Sequence, residues 1–294
     1  MQNEIREKEK MKITVAKETL PKSTVKLTIT LPWLEVEKIY QETLKKKAEQ
    51  IEVPGFRKGK APRSLVKKKI SQEALLRETL QEILPQAYAN AIREQNIRPI
   101  IQPKIKVVAM EEGQDWQFEA TTCEKPEIRL GNYQEAVKNG LQSSKIWIPG
   151  KEEKKGKESR SEKIKKLLEI LLKTIKIELP PLLVEEEVNR LLSSLLEQIN
   201  KLGLTLDAYL NSTRKTVEQI KKEYQLQAER ALKIEVILEA IAADLKVMVE
   251  EKEIEEMIEK TTKDKEEKKR LAGQKYYLAT ILRREKTIDK LLHL

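Results

Sequence analysis

The residues with the most chemical character lie in one short segment, Val53-Pro54-Gly55-Phe56-Arg57-Lys58-Gly59-Lys60-Ala61-Pro62. Two prolines and two glycines hold an aromatic residue and three cations between two helical patterns. This composition predicts a tight loop that places Phe56, Arg57 and Lys58 in solvent. An exposed phenylalanine between cations suits docking on an acidic surface with an apolar pocket, such as a protein seated on RNA. Composition alone equally allows a solubilising turn.

Catalytic chemistry finds no support elsewhere in the chain. The only histidine, His293, has no second His or Cys near it, which argues against a metal site or a nucleophile with its base. The segment from Gly55 to Lys60 lacks the spacing of a phosphate-binding loop, and Ala61 stands where that motif needs Ser or Thr. The acidic run from Glu185 to Glu187 points in different directions on a helix, and Cys123 fits a strand residue. We therefore expect no catalytic residue, no metal site and no cofactor.

The composition indicates a charged, largely helical protein. The chain has 294 residues, enough for two domains, and a formal net charge of +10 that favours polyanionic partners without selecting among them. A charged fraction of 36% with 4% aromatic residues is typical of long, solvated helices with little sheet. A single cysteine suits a reducing cytosol. No apolar run is long enough to span a bilayer, and residues 1–10 are charged throughout, which predicts a short disordered extension.

The segment that follows, residues 11–123, alternates in the way expected of an α+β domain. Val25, Leu27, Ile29 and Leu31 alternate with polar residues and predict a strand, with residues 12–15 pairing against it. A helix leads from Pro32 into the loop, helices follow it as far as about Glu94, and residues 96–110 and 116–122 predict two more strands. This order implies helices on one side of a small antiparallel sheet.

The remaining residues divide into a linker and a helical domain. Residues 124–160 are broken by Pro and Gly and contain low-complexity charge, which predicts a linker. Residues 161–294 predict a mostly α-helical C-terminal domain with extended helical arms. Gly203 is a predicted helix C-cap, and Thr216 with Gln219 forms a predicted capping box.

Gly55 to Pro62 resembles the signature loop of the trigger factor family, the bacterial ribosome-associated chaperones. The resemblance implies that Phe56, Arg57 and Lys58 dock on the large ribosomal subunit, at a tunnel-exit protein and nearby rRNA. The resemblance also implies that Gly55 and Gly59 shape the turn and that Lys60 belongs to the same ribosome-binding site. Residues 178–188 and 282–286 resemble the start and the closing helix of the family's C-terminal domain.

The sequence departs from the family in one interval. A typical member carries an FKBP-like prolyl isomerase domain, about a hundred residues long, where this chain has its linker. Tyr133 and Trp147 alone cannot line the aromatic pocket of such a domain. The resemblance therefore implies a form that lacks this domain, and we expect no enzymatic activity.

The resemblance implies an ATP-independent cytoplasmic chaperone that shields nascent and unfolded polypeptides, with no membrane partner and with a weak homodimer left open. Periodicity does not show which apolar residues face clients; the candidates are the helices from Leu182 to Ile199 and from Leu271 to Leu282. Three alternatives remain: a basic nucleic-acid-binding protein, a helical partner-binding protein without clients, and a residual isomerase. The interleaving of cations with almost as many acids argues against the first.

Overall fold

The structure is a computed structural model that describes residues 11–50, 71–142, 159–262 and 264–294. The described residues form two compact units, one made of residues up to Lys125 with Pro180–Leu183, the other of residues 126–179 and 184–294. The elements in chain order are β1 (Thr14–Leu20), β2 (Thr24–Leu31), α1 (Trp33–Gln50), α2 (Gln72–Glu94), β3 (Lys104–Ala109), β4 (Trp116–Cys123), α3 (Tyr133–Gln142), α4 (Arg160–Thr174), α5 (Pro181–Lys201), α6 (Leu206–Thr213), α7 (Val217–Asp244), α8 (Glu251–Thr261), α9 (Lys265–Ala272) and α10 (Lys275–Leu292).

The first unit contains a four-stranded antiparallel sheet in the order β1-β2-β4-β3. Leu27 pairs with Ala120 and Ile29 with Phe118, and all four side chains are buried on one face. The predicted alternation is therefore confirmed. Strand β3 is shorter than the predicted span of residues 96–110, because Pro99 and Pro103 have no N–H to donate to a ladder.

Helices α1 and α2 cover the buried face of the sheet and complete the core of the first unit. The Trp33 N–H at the start of α1 donates to Asp115 Oδ1 at 2.8 Å, which ties the helix to the turn between β3 and β4. The Trp33 ring packs against Trp116 with centroids 6.4 Å apart. The most deeply buried members of this core are Leu27, Ile29, Leu31, Tyr40, Leu75, Ile83, Trp116 and Phe118.

The second unit is helical throughout its described elements, as predicted. Thr216 and Gln219 form a reciprocal capping box at the start of α7, and Gly203 adopts the left-handed φ of +69° after α5. Helices α4, α7 and α10 pack together, and Arg160 on α4 pairs with Asp289 on α10 at 2.7 Å. Among the described residues, no helix combines the length and the apolar character that a membrane span requires.

The segment predicted to be a linker differs from the structure between residues 133 and 142, which form α3. Tyr133 and Val137, four residues apart, are buried on one face of this helix. The Tyr133 hydroxyl donates to Asp244 Oδ2 at 2.7 Å. Burial is the main cause that raises the pKa of Tyr133, and this hydrogen bond raises it further. Gly140 is one of the glycines that favour the linker prediction, but it lies inside the helix, where it faces Ile170 on α4. The predicted extension at residues 1–10 lies outside the described residues.

Candidate functional site

The signature segment is carried by an antiparallel pair of helices. Near the end of α1, Lys46 Nζ lies 2.8 Å from Glu82 Oε1 and Lys47 Nζ lies 2.6 Å from Glu78 Oε1, both acceptors being on α2. Because later residues of α1 pair with earlier residues of α2, the helices run in opposite directions. The chain therefore leaves α1 at Gln50 and enters α2 at Gln72 at the same end of this pair, which we call the helical hairpin.

The helical hairpin is held mainly by apolar packing. Tyr40 and Leu44 on α1 and Leu76 and Ile83 on α2 belong to the buried core of the first unit. The buried Thr43 hydroxyl donates to the Ile39 carbonyl at 2.8 Å and lies 3.3 Å from Glu82 Oε2. These contacts fix the end of the helical hairpin from which the signature segment departs.

The predicted ribosome-binding residues Gly55, Phe56, Arg57, Lys58, Gly59 and Lys60 lie outside the described residues, so their assignment stays a prediction. The charge of the surrounding sequence is nonetheless uneven. Residues 51–70 carry seven Lys or Arg against one Glu, whereas the rest of residues 11–125 carries fourteen of each sign. The net positive charge of the first unit's sequence is therefore confined to the stretch between α1 and α2.

A second candidate surface lies on α5, α6 and α7. Leu195, Ile199 and Ile220 form a small buried cluster there, with Leu192, Tyr209, Leu210 and Tyr224 packed around it. Six large apolar side chains on the same three helices and their connections are exposed, with fractions from 38% to 74%. We call this set the apolar tip; its members are Leu196, Leu202, Leu204, Leu206, Val217 and Leu226.

The apolar tip differs from isolated surface leucines in its number of exposed apolar side chains. Single exposed apolar residues are ordinary on protein surfaces, whereas several of them on neighbouring helices are candidates for an interaction surface. Leu202 is 74% exposed and Leu226 is 61% exposed, so neither contributes much to the fold. These exposed side chains offer apolar contact area that suits loose binding to extended apolar segments.

Helices α8, α9 and α10 form a third cluster around Ile254, Ile258 and Leu278. Beside it, Tyr276 is 90% exposed and Tyr277 is 63% exposed. A tyrosine presents a large rigid ring at low entropic cost, so this pair also suits contact with a polypeptide.

The structure shows which apolar residues of the two predicted client helices are exposed and which are buried. Within Leu182–Ile199, Leu196 is exposed, whereas Val188, Leu195 and Ile199 are buried. Within Leu271–Leu282, the exposed large apolar side chains are those of Tyr276 and Tyr277. The prediction missed Leu202, Leu204, Leu206, Val217 and Leu226, which lie at helix ends or on α7. The sequence did contain a signal for Leu202 and Leu204. Both flank Gly203, where the helix ends, so neither can belong to the buried apolar face of a helix.

The residues considered for catalysis are accounted for structurally. His293 Nδ1 lies 2.7 Å from the Asp289 carbonyl, Cys123 is buried in β4, and Glu187 pairs with Arg190 at 2.6 Å. In the part of the chain that the structure describes, no group of three or more His, Cys, Asp or Glu residues could hold a metal ion.

Comparisons with known proteins agree on one family. Residues 11–143 match the family model described as "Bacterial trigger factor protein (TF)", and residues 151–293 match "Bacterial trigger factor protein (TF) C-terminus". The proteins named trigger factor from Staphylococcus aureus strains JH9 and Newman are each 44% identical over 107 residues, covering 36% of this chain and 25% of theirs. The aligned part thus spans a quarter of the length of these relatives.

A solved structure described as "Promiscuous Substrate Recognition in Folding and Assembly Activities of the Trigger Factor Chaperone" has the same fold. It aligns with a TM-score of 0.65 at 14% identity, over 95% of this chain and 99% of that one. The two matched family models together run from residue 11 to residue 293, and the chain therefore belongs to the trigger factor family.

Proposed function

We propose that this protein is an ATP-independent chaperone of the cytoplasm that docks on the large ribosomal subunit and shields nascent polypeptides. One observation carries the docking role: the signature residues Phe56, Arg57 and Lys58 belong to a strongly cationic stretch of sequence, and the helices before and after it end and begin on the same side of the helical hairpin. The apolar tip supports the shielding role.

The charge distribution favours a local dock over general attraction. Cations bind a polyanion such as rRNA through its phosphates, and binding weakens as salt rises. Because the rest of the first unit is balanced in charge, only residues 51–70 are expected to contribute strongly to this attraction. Phe56 adds an apolar side chain that can fill a pocket on a protein. Binding to phosphates alone would not need such a side chain.

Shielding depends on tethering as well as on contact. Separate apolar side chains such as Leu202 and Leu226 each bind weakly, so the tip tolerates many client sequences. Docking beside an emerging chain raises the effective concentration of that chain at the tip. Weak contacts then suffice during synthesis and release the client afterwards.

We also propose that the protein lacks prolyl isomerase activity. The proposal rests on the sequence between α3 and α4, where residues 143–158 are too few for an isomerase domain. Turnover of a proline-containing peptide is expected at the uncatalysed rate. A rate clearly above that background would show that isomerase activity resides elsewhere in the chain.

Co-sedimentation with purified bacterial ribosomes tests the docking proposal. The variant Phe56→Ala, Arg57→Ala, Lys58→Ala is expected to lose most of its binding at moderate salt, because it removes the anchor and two cations. Lys12→Ala, Lys17→Ala removes two exposed cations from the same unit and serves as the matched control. Equal pelleting of all three proteins would point to general charge attraction and a nucleic-acid-binding protein; no pelleting of any would overturn docking.

A further inference from the structure

Two carboxylates on α2 neutralise two lysines beside the signature segment. Glu82 pairs with Lys46 and Glu78 pairs with Lys47, and neither pair is within one helix. The hydrogen bond and charge of Glu82 raise the pKa of Lys46 most, and the charge of Glu42 on α1 raises it further. These pairs either hold the helical hairpin together or restrict its positive charge.

Exposure decides between these two roles. The side chains of Lys46 and Glu82 are 60% and 39% exposed, and those of Lys47 and Glu78 are 32% and 37% exposed. Exposed ion pairs contribute little to stability, whereas the same hairpin buries Leu44, Leu76 and Ile83 almost completely. Glu82 Oε2 also lies 3.3 Å from the Thr43 hydroxyl, a contact that a glutamine oxygen at the same position can keep. Apolar packing therefore positions the helices, and the negative charges of the two carboxylates act mainly on the lysines.

The two lysines are close enough to the signature segment to act with it. Lys46 is four residues before the end of α1 at Gln50, which is about 6 Å along a helix axis. The Debye length at physiological ionic strength is about 8 Å, so a charge at Lys46 is felt where the segment begins. Without their carboxylates, Lys46 and Lys47 would extend the cationic surface down the hairpin.

We propose that Glu78 and Glu82 limit the affinity of the docking surface for its polyanionic partner, by neutralising Lys46 and Lys47. The inference rests on the proposed docking function. It gives the carboxylates a specificity role: binding then depends on the Phe56 segment and less on phosphates in general.

The test is the ribosome affinity of Glu78→Gln, Glu82→Gln, which keeps side-chain shape and removes both negative charges. Two freed lysines are expected to tighten binding about tenfold at moderate salt and to steepen the dependence of log K on log salt by about 1.5. Affinity and salt slope are measured by titrating purified ribosomes into the full-length protein at several salt concentrations. Unchanged or weaker binding would overturn the inference.

A second variant separates charge from positioning. Lys46→Gln, Lys47→Gln combined with Glu78→Gln, Glu82→Gln has no ion pair but the net charge of the wild type. If charge sets the affinity, this protein binds within about twofold of the wild type, because no cation has been gained. If the ion pairs position the signature segment, it binds as weakly as a protein with a damaged loop, which would contradict the inference.

Two controls complete the experiment. Glu119→Gln removes a carboxylate near Lys26 and Lys106 on the sheet, at 4.0 and 3.9 Å, and is expected to leave ribosome affinity unchanged. The Phe56, Arg57, Lys58 alanine variant is measured beside the others. If the alanine variant loses binding but the Glu78 and Glu82 substitutions do not change it, only this inference is overturned. If the alanine variant binds as well as the wild type, the docking function and the inference are overturned together.

Discussion

Gly140 is the residue that lets α3 lie directly against α4. A Cβ built at this position would fall 2.5 Å from Ile170 Cδ1 and 3.0 Å from Ile170 Cγ1. Both distances are shorter than ordinary carbon contacts, so any larger residue must push the helices apart or force Ile170 into another rotamer. The glycine thus serves packing in a helix whose interior it would otherwise weaken.

Gly140→Ala is therefore expected to destabilise the protein by about 1 kcal/mol. Overpacking costs about 1–3 kcal/mol, and the better helix propensity of alanine recovers about 0.5–1 kcal/mol. The midpoint of urea denaturation measures the difference. Adding Ile170→Val removes the clashing methyl group, so the double variant is expected to be more stable than the sum of the single changes predicts.

The neighbouring position provides the control for this prediction. Asn139 is exposed on the same helix, so Asn139→Ala changes propensity without adding a contact to α4 and is expected to stabilise slightly. If Gly140→Ala also stabilises the protein, the two helices have room to separate, and the close approach at Ile170 is not important for folding.

At the scale of elements, local patterns account for most of what could be predicted. The alternation from Val25 to Leu31 determines which face of β2 is buried, and the Thr216–Gln219 capping box marks the start of α7. Both signals depend on neighbouring residues only. The proposed docking role of Phe56, Arg57 and Lys58 comes from the family resemblance, because no local pattern could assign it.

Helix α3 could not be predicted in the same way, because its stability depends on distant partners. It has ten residues, too short to be stable alone, and Gly140 lowers its propensity further. Its buried Tyr133 hydrogen-bonds to Asp244, 111 residues away in the sequence, and Gly140 meets Ile170 on α4. These contacts appear only after α4 and α7 have come together, so tertiary packing overrides the local pattern.

The sequence predicted only part of the apolar tip, for a related reason. A helical stripe of leucines looks the same in the sequence whether another helix covers it or not. Leu195 is buried and the adjacent Leu196 is 44% exposed, and only the packing of α5 against α7 distinguishes them. Exposure, and with it any client surface, is thus a property of the assembled helices.

At the scale of the whole molecule, the proposed function requires two separable activities. Docking relies on cations and Phe56 in the sequence between α1 and α2, whereas shielding relies on apolar side chains of α5 to α7. The two sets belong to different compact units. Variants of one set are therefore expected to leave the other activity intact, which is a stronger test than the loss of either activity alone.

Leu202→Ser with Leu226→Ser tests this separation. Both side chains are more than 60% exposed, so the fold is expected to lose less than about 0.5 kcal/mol per substitution. Losing two apolar contacts should raise the concentration needed to suppress aggregation of an unfolded client about three- to tenfold. Ribosome affinity should remain at the wild-type value.

The matched control makes the same change in the other unit, at the exposed Val107 and Val108 of β3, which are 43% and 50% exposed. If clients bind through the apolar tip, Val107→Ser with Val108→Ser suppresses aggregation as the wild type does. If both double variants lose activity equally, any exposed apolar surface can hold a client, and the tip has no special role. If neither double variant loses activity, the apolar tip does not hold clients. Tyr276 and Tyr277 of α10, which are 90% and 63% exposed, are then the next side chains to substitute.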